Sequence, residues 1–126
     1  MRAVFDTSVF VAREQRALTT EPGLLGCVSA ITIEELALGV AVALDPDVKA
    51  VRSHTLLAVE DGMEVLPLDA SIARRCGELM GIQRLRGRRP ALADTLIAAT
   101  ALEHEIPVVT QDIGFFAYDD LDVILV

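Results

Sequence analysis

At 126 residues the chain has room for one compact domain and no second. Hydrophobic residues make up 52% and aromatics 4%, with Trp absent, so the core must be built from Ala, Val, Leu and Ile. A net charge of −8 argues against a generic nucleic-acid binder, and no uncharged apolar run approaches the roughly 20 residues that span a bilayer.

Taken in chain order, Arg2–Phe5 reads as a short buried strand and Ser8 to about Leu18 as a helix. The apolar start MRAVF is interrupted by Asp6, so no secretory signal is expected. Gly23–Gly26 mark a turn before a second strand, Cys27–Ala30. Thr32 opens a helix through about Leu44, with Thr32 and Glu35 in capping-box spacing. Asp45-Pro46 closes that helix and begins another, to about Asp61. Met63–Leu66 is a strand, and Pro67-Leu68-Asp69 leads into a helix to about Leu85. Pro90 precedes a helix over Ala91–Glu105, and Pro107–Thr110 and Val123–Val126 are the last strands. Strands alternating with helices of ten or more residues predict an α/β fold with a parallel sheet covered on both faces. The apolar strands AVF, CVSA and VVT agree with burial on both sides.

In such a sheet, ligands bind beyond the carboxyl ends of the strands. Asp6 follows the first strand directly, and Asp112 lies just beyond the strand ending at Thr110. Helices run back antiparallel to the strands, so Glu35 and Asp94, each placed in a first turn, begin at the same edge. Asp94 shares a stripe with Ile97, Ala98 and Ala101, the face expected to pack on the sheet. A carboxylate there is costly unless paired or metal-bound. Two carboxylates about 5 Å apart repel by roughly 3 kcal/mol at an effective dielectric of about 20, so protons or divalent cations must relieve a cluster of four. Oxygen-only ligands favour Mg²⁺ or Mn²⁺ over zinc, for which no CxxC or HxxxH spacing exists. Such a site suits phosphodiester hydrolysis by a metal-activated water.

Each acid also has an ordinary reading. Glu35 could be the capping-box partner of Thr32, Asp94 a helix N-terminal acid, and Asp112 a turn residue. Asp6 is harder to dismiss, and convergence of the four on one rim carries the weight. Glu34, beside Glu35, is expected to face solvent. Basic residues cluster as Arg84, Arg86, Arg88 and Arg89 in RLRGRRP, just before the Asp94 helix. Arg86, Arg88 and Arg89 are therefore candidate contacts to substrate phosphates, with a solvated loop as the competing reading. Cys27 and Cys76 are isolated, which suits two buried thiols in a reducing cytosol, a disulfide being the lesser alternative.

From Arg2 to Val126 the chain resembles the PIN-domain ribonucleases of the VapC type. VFDTSVFVA resembles the first motif of that family, placing a metal-ligating acid at Asp6 with Ser8 nearby. SAITIEELALGV resembles the second, with its acid at Glu35; LADTLIAATA resembles the third, with Asp94; VVTQDIGFF resembles the fourth, with Thr110 and Asp112. PLDASIA also recurs in the family as a helix start. Where many members carry a further acid before the last motif's aromatic, this chain has Gly114 and Phe115, so the fourth ligand rests on Asp112. The resemblance implies a PIN-like three-layer α/β/α fold with about five parallel strands. It also implies a homodimer, ribonucleolytic activity on structured RNA, and a cognate antitoxin that occludes the site. The catalytic and metal-binding set so implied is Asp6, Glu35, Asp94 and Asp112, with Ser8 and Thr110 in support, in a cytoplasmic protein.

Two other classes compete. A haloacid-dehalogenase-type phosphatase also sets an Asp after its first strand, but wants a second acid where Ser8 stands and a Lys, whereas Lys49 is the only one. A catalytically silent PIN module would act through protein contacts alone, against which the four acids argue. A receiver domain fits less well, wanting paired acids near the first strand. The run LALGVAVAL, Leu36 to Leu44, is apolar on every side. With the helix from Asp47 to Asp61 it is expected to line a groove for an antitoxin segment or a dimer edge. Enclosure in the core is the alternative.

Overall fold

The computed structural model describes residues 1–18 and 20–126. Arg2–Phe5 forms β1, Thr7–Arg13 α1, Leu25–Ser29 β2, Ala30–Val42 α2 and Pro46–Gly62 α3. Glu64–Leu66 forms β3, Ala70–Leu85 α4, Leu92–Glu103 α5, Val108–Thr110 β4 and Val123–Leu125 β5. A 3-10 turn at Ile113–Ala117 joins the last two strands.

All strand pairs are parallel, in the order β3-β2-β1-β4-β5. Successive residues of each strand serve opposite faces, as the two-residue period requires. Val4, Cys27 and Val108 face the layer of α4 and α5, where Ile72, Leu79, Ile97 and Ala101 pack. Ala3, Phe5, Val28 and Val109 face α1, α2 and α3 through Val9, Phe10, Leu36 and Val59. The expected three-layer α/β/α architecture with five parallel strands is therefore present. Cys27 and Cys76 are free and buried, with no disulfide between them.

The order also locates the site. The chain builds outward from β1 to β2 and β3, then returns to place β4 on the other side of β1. The β1–β4 boundary is the switch point at which open parallel sheets leave a crevice beyond their carboxyl ends. Asp6 and Asp112 follow these two strands.

Several local expectations need correction. The helix after β1 ends at Arg13 rather than near Leu18, at the start of the charged and polar run Arg13–Arg16, which offers no apolar face to continue it. The cap of α2 is Ser29, whose hydroxyl accepts from the Ile31 N–H at 3.3 Å, so Thr32 and Glu35 do not form a capping box. Thr32 is fully buried inside the helix. Glu35 consequently lies in the second turn of α2, not the first. The Ile113–Ala117 turn had no counterpart in the periodicity, being too short to show one. Asp45 and Asp69 cap α3 and α4 with their side chains.

Candidate metal centre at the β1–β4 crevice

Asp6 occupies the N-cap of α1, a position where an Asp ordinarily accepts hydrogen bonds from the first turn. Its side chain makes no such bond. It turns instead toward β4 and is held by two hydroxyls: Ser8 Oγ donates to Oδ2 at 2.6 Å and Thr110 Oγ1 at 2.8 Å. Each hydroxyl is itself oriented by a backbone donor. The Gln111 N–H donates to Ser8 Oγ at 3.1 Å, and the Asp112 N–H to Thr110 Oγ1 at 2.9 Å. Two parallel relays, amide to hydroxyl to carboxylate, thus fix Asp6 Oδ2 from the segment following β4 that leads to Asp112. Asp6 is 4% exposed and Thr110 fully buried. A carboxylate so enclosed is affordable only because its oxygen is satisfied in this way.

Glu35 is half-buried and takes a 2.7 Å hydrogen bond from Thr7 Oγ1, which also reaches Thr32 Oγ1 at 3.0 Å. Burial pushes the Glu35 carboxyl above the usual range, the Thr7 bond opposes this, and the charges of Asp6 and Glu34 add to the rise. Glu34 is exposed, as expected of it. Thr7 escaped the sequence reading: its only signal was its place between Asp6 and Ser8.

Asp94 stands in the first turn of α5, where the helix dipole favours a negative charge. Burial and neighbouring carboxylates overcome that preference. Its pKa rises from 3.8 to about 6, first through desolvation and then through the charges of Asp6, Asp112 and Glu35. Among the described residues no hydrogen-bond donor or cation offsets them. Asp112 is exposed and caps the 3-10 turn, its Oδ1 accepting from the Gly114 N–H at 2.8 Å. Its ordinary reading therefore describes one of its two oxygens and leaves Oδ2 free of protein partners among the described residues.

The four acids come from four separate segments and Asp94 feels the other three. They do not form a closed cage: among the described residues no three His, Cys, Asp or Glu side chains are gathered closely enough to hold an ion as they stand. The donor set nevertheless fits a hard divalent cation. It offers carboxylate oxygen alone, and Asp94 is a half-buried carboxylate with no donor among the described residues; such oxygens suit Mg²⁺ or Mn²⁺ better than zinc, which prefers nitrogen and sulfur.

The basic turn lies close to this edge. Arg86 caps α4 and Gly87 follows with φ 77°, a left-handed position that suits glycine. Gly87 N–H donates to the Arg84 carbonyl at 3.0 Å and Arg88 N–H to that of Gln83 at 2.8 Å, the Schellman pattern that ends a helix. Arg86 pairs with Asp119 at 2.6 Å, and Arg88 donates to Gln83 Oε1 at 3.4 Å. Arg89 is exposed and makes no hydrogen bond or ion pair among the described residues.

On the opposite flank of Glu35, a groove of about 760 Å³ runs between α1, α2 and α3, lined by Thr7, Glu35, Leu38, Val42, Val48 and Arg52. A neighbouring cavity of about 600 Å³ between α1 and α3 shares Glu14 and Val51 with it. Leu36 is buried, whereas Leu38 and Val42 are 54% and 60% exposed. The apolar helix is thus part core and part open surface, not enclosed.

A family model for the PIN domain matches residues 3–121. Ribonuclease VapC5 of Mycobacterium tuberculosis is 40% identical over 118 residues, covering 92% of this chain and 87% of that protein. Toxin FitB of Neisseria gonorrhoeae is 38% identical over 96 residues, 72% of this chain and 68% of that protein. Among solved structures, the toxin–antitoxin complex VapBC-5 from M. tuberculosis superposes with a TM-score of 0.85 at 38% identity, over 99% of this chain and 98% of that one. A match along nearly the whole length and relatives at this identity place the chain in the PIN domain family, among its VapC-type members.

Proposed function

We propose that the chain is a Mg²⁺- or Mn²⁺-dependent endoribonuclease that acts as the toxin of a toxin–antitoxin pair. The observation that carries this reading is Asp94: a half-buried carboxylate pressed by three other acids, with no donor or cation among the described residues to offset them. Asp6, Glu35, Asp94 and Asp112 would hold the ion. A bound ion would activate water and offset phosphate charge in RNA hydrolysis. Ser8 and Thr110 hold Asp6 in place, Thr7 steadies Glu35, and Arg89 is available to meet a phosphate. The names of the VapC and VapBC relatives support both the ribonuclease and the antitoxin parts of this reading.

The groove beside Glu35 suits an antitoxin segment with an apolar stripe and basic flanks, since Glu14, Glu35 and Asp47 line it against the single base Arg52. A segment seated there would lie against Glu35 and shield the acid rim. A homodimer in the cytoplasm completes the reading, consistent with two free buried thiols. No described helix is long and apolar enough to cross a membrane.

The open spacing of the acids is the one observation favouring a non-catalytic PIN module acting only through this groove. Incubation with RNA and Mg²⁺, with and without EDTA, decides between them. Cleavage that EDTA abolishes supports the nuclease. RNA left intact at every metal concentration refutes it, and release of phosphate from small esters would instead indicate a phosphatase.

A further inference from the structure

Thr95 and Tyr118 meet in the core directly behind the acid rim, their oxygens 2.9 Å apart. Thr95 is fully buried and Tyr118 is 5% exposed. Thr95 follows Asp94 on α5, and Tyr118 stands just past the 3-10 turn that Asp112 caps. The bond therefore joins the two elements that carry Asp94 and Asp112. Thr95 gives its own proton to the Ala91 carbonyl at 2.9 Å, which makes Tyr118 the donor. Beside it, the buried Gln83 of α4 donates to the Ala117 carbonyl at 2.9 Å. The end of the turn is thus gripped by side chains from two helices. Burying three polar side chains where aliphatic ones would pack is a cost that needs a return. What they add over an apolar contact is direction.

We propose that the Thr95–Tyr118 bond, with Gln83 on the Ala117 carbonyl, is a positioning device that sets Asp94 and Asp112 in register for a shared divalent cation. The proposal rests on the metal-dependent reading given above. Neither hydroxyl touches the ion or the substrate. They act through the backbone that carries the two acids, as outer partners of metal ligands do. The weaker point of the rim is Asp112, exposed and half engaged in capping, and it is the acid this device would steady.

The test is Mn²⁺ binding to the full chain, free of RNA, followed by electron paramagnetic resonance, alongside RNA cleavage kinetics. Tyr118→Phe removes only the phenolic donor, and Thr95 keeps its bond to Ala91. Thr95→Val removes the acceptor at constant volume, and Thr95→Ser retains it. Tyr118→Phe and Thr95→Val should each weaken Mn²⁺ binding about 10-fold and lower kcat with KM unchanged, while Thr95→Ser binds like the parent. The Thr95 pair repeats the test from the α5 side should Tyr118→Phe fail to fold. A fall in melting temperature with Mn²⁺ affinity unaltered would overturn the positioning role and leave the bond merely structural. Asp94→Asn separates the two failures. If it binds Mn²⁺ like the parent, the metal reading itself is wrong; if it loses binding while Tyr118→Phe and Thr95→Val do not, only the positioning role falls.

Discussion

Thr110 on β4 donates its hydroxyl to Asp6 Oδ2 at 2.8 Å, joining the residue that ends one central strand to the one that follows its neighbour. Ser8 donates to the same oxygen. Thr110→Val should therefore leave a buried carboxylate with one donor instead of two, at a cost of about 1–3 kcal/mol. RNA cleavage should fall at least about 10-fold, as when an outer partner of a metal ligand is lost. Ser8→Ala should do less to stability, because Ser8 is only partly buried. Melting curves and cleavage assays on both variants check this, and parental cleavage by Thr110→Val would remove Asp6 from the proposed ligand set.

The raised pKa of Asp94 gives a pH signature. Its carboxyl titrates at about 6 in the folded chain against 3.8 ordinarily, so the folded state binds the proton more tightly. That contribution to stability is complete below about pH 4 and is lost as pH rises through about 6. The full displacement corresponds to about 3 kcal/mol, which water at this half-open rim reduces to about 1 kcal/mol. In EDTA, Asp94→Asn should therefore be more stable than the parent at pH 7.5 and lose the advantage at pH 4. Glu35, displaced in the same direction, adds to the trend in both proteins. Mg²⁺ affinity of the parent should rise with pH up to about 6 and then flatten, because proton and cation compete for one carboxylate. Calorimetric titration across pH 5–8 measures it, and a flat profile would contradict the assignment of Asp94 as a ligand.

The strands and the acids at their ends were legible because both rest on strong, local signals. Short apolar runs bounded by Asp6 or Pro107 leave little freedom, and parallel topology then sends their ends to one edge. What could not be read was which neighbour satisfies each polar group. The Thr32–Glu35 spacing mimics a capping box, yet Ser29 is better placed at the end of β2 and takes the cap, releasing Thr32 to the interior. Asp6 is an N-cap by position and an interstrand partner by contact, a distinction that depends on Thr110, far away in sequence. The 3-10 turn and its hold on Tyr118 are likewise tertiary: five residues carry no period, and Phe115 and Tyr118 order the turn by burial.

The three candidate arginines should not behave alike. Arg86 is committed to Asp119 and Arg88 leans on Gln83, whereas Arg89 is exposed and unengaged among the described residues. Arg89→Ala should weaken RNA binding and reduce the slope of log affinity against log salt by about 0.7–0.9, the contribution of one phosphate contact. Arg86→Ala should cost less than about 1 kcal/mol of stability, as exposed ion pairs do, and alter the slope less. Filter binding between 50 and 200 mM salt at a fixed Mg²⁺ concentration separates the cases. An unchanged slope for Arg89→Ala and for the triple Ala variant would make the turn an ordinary solvated loop.

The last prediction concerns the groove. Leu38 and Val42 lie open on α2, while Leu36, on the same helix, is 6% exposed and packs in the core. Charge introduced at these positions should therefore have opposite consequences. Val42→Asp places its carboxylate in water in the free protein, so folding should be unchanged to within about 0.5 kcal/mol. In a complex that fills the groove, the same carboxylate would be buried against an apolar stripe. That should weaken association by about 10- to 100-fold or more. Leu36→Asp buries a charge in the free protein and should unfold it. Val40 is intermediate in burial, so Val40→Asp should lose some stability and some association. Sedimentation of each variant alone, and co-purification with a co-expressed candidate antitoxin, distinguish the outcomes. Because Glu35 lines the same groove, a partner lost from Val42→Asp should also cease to inhibit RNA cleavage, while cleavage by the free variant stays at the parental rate. If Val42→Asp stays folded yet retains the partner and its inhibition, the groove is not the binding surface, and the exposed apolar residues of α2 serve something other than toxin control.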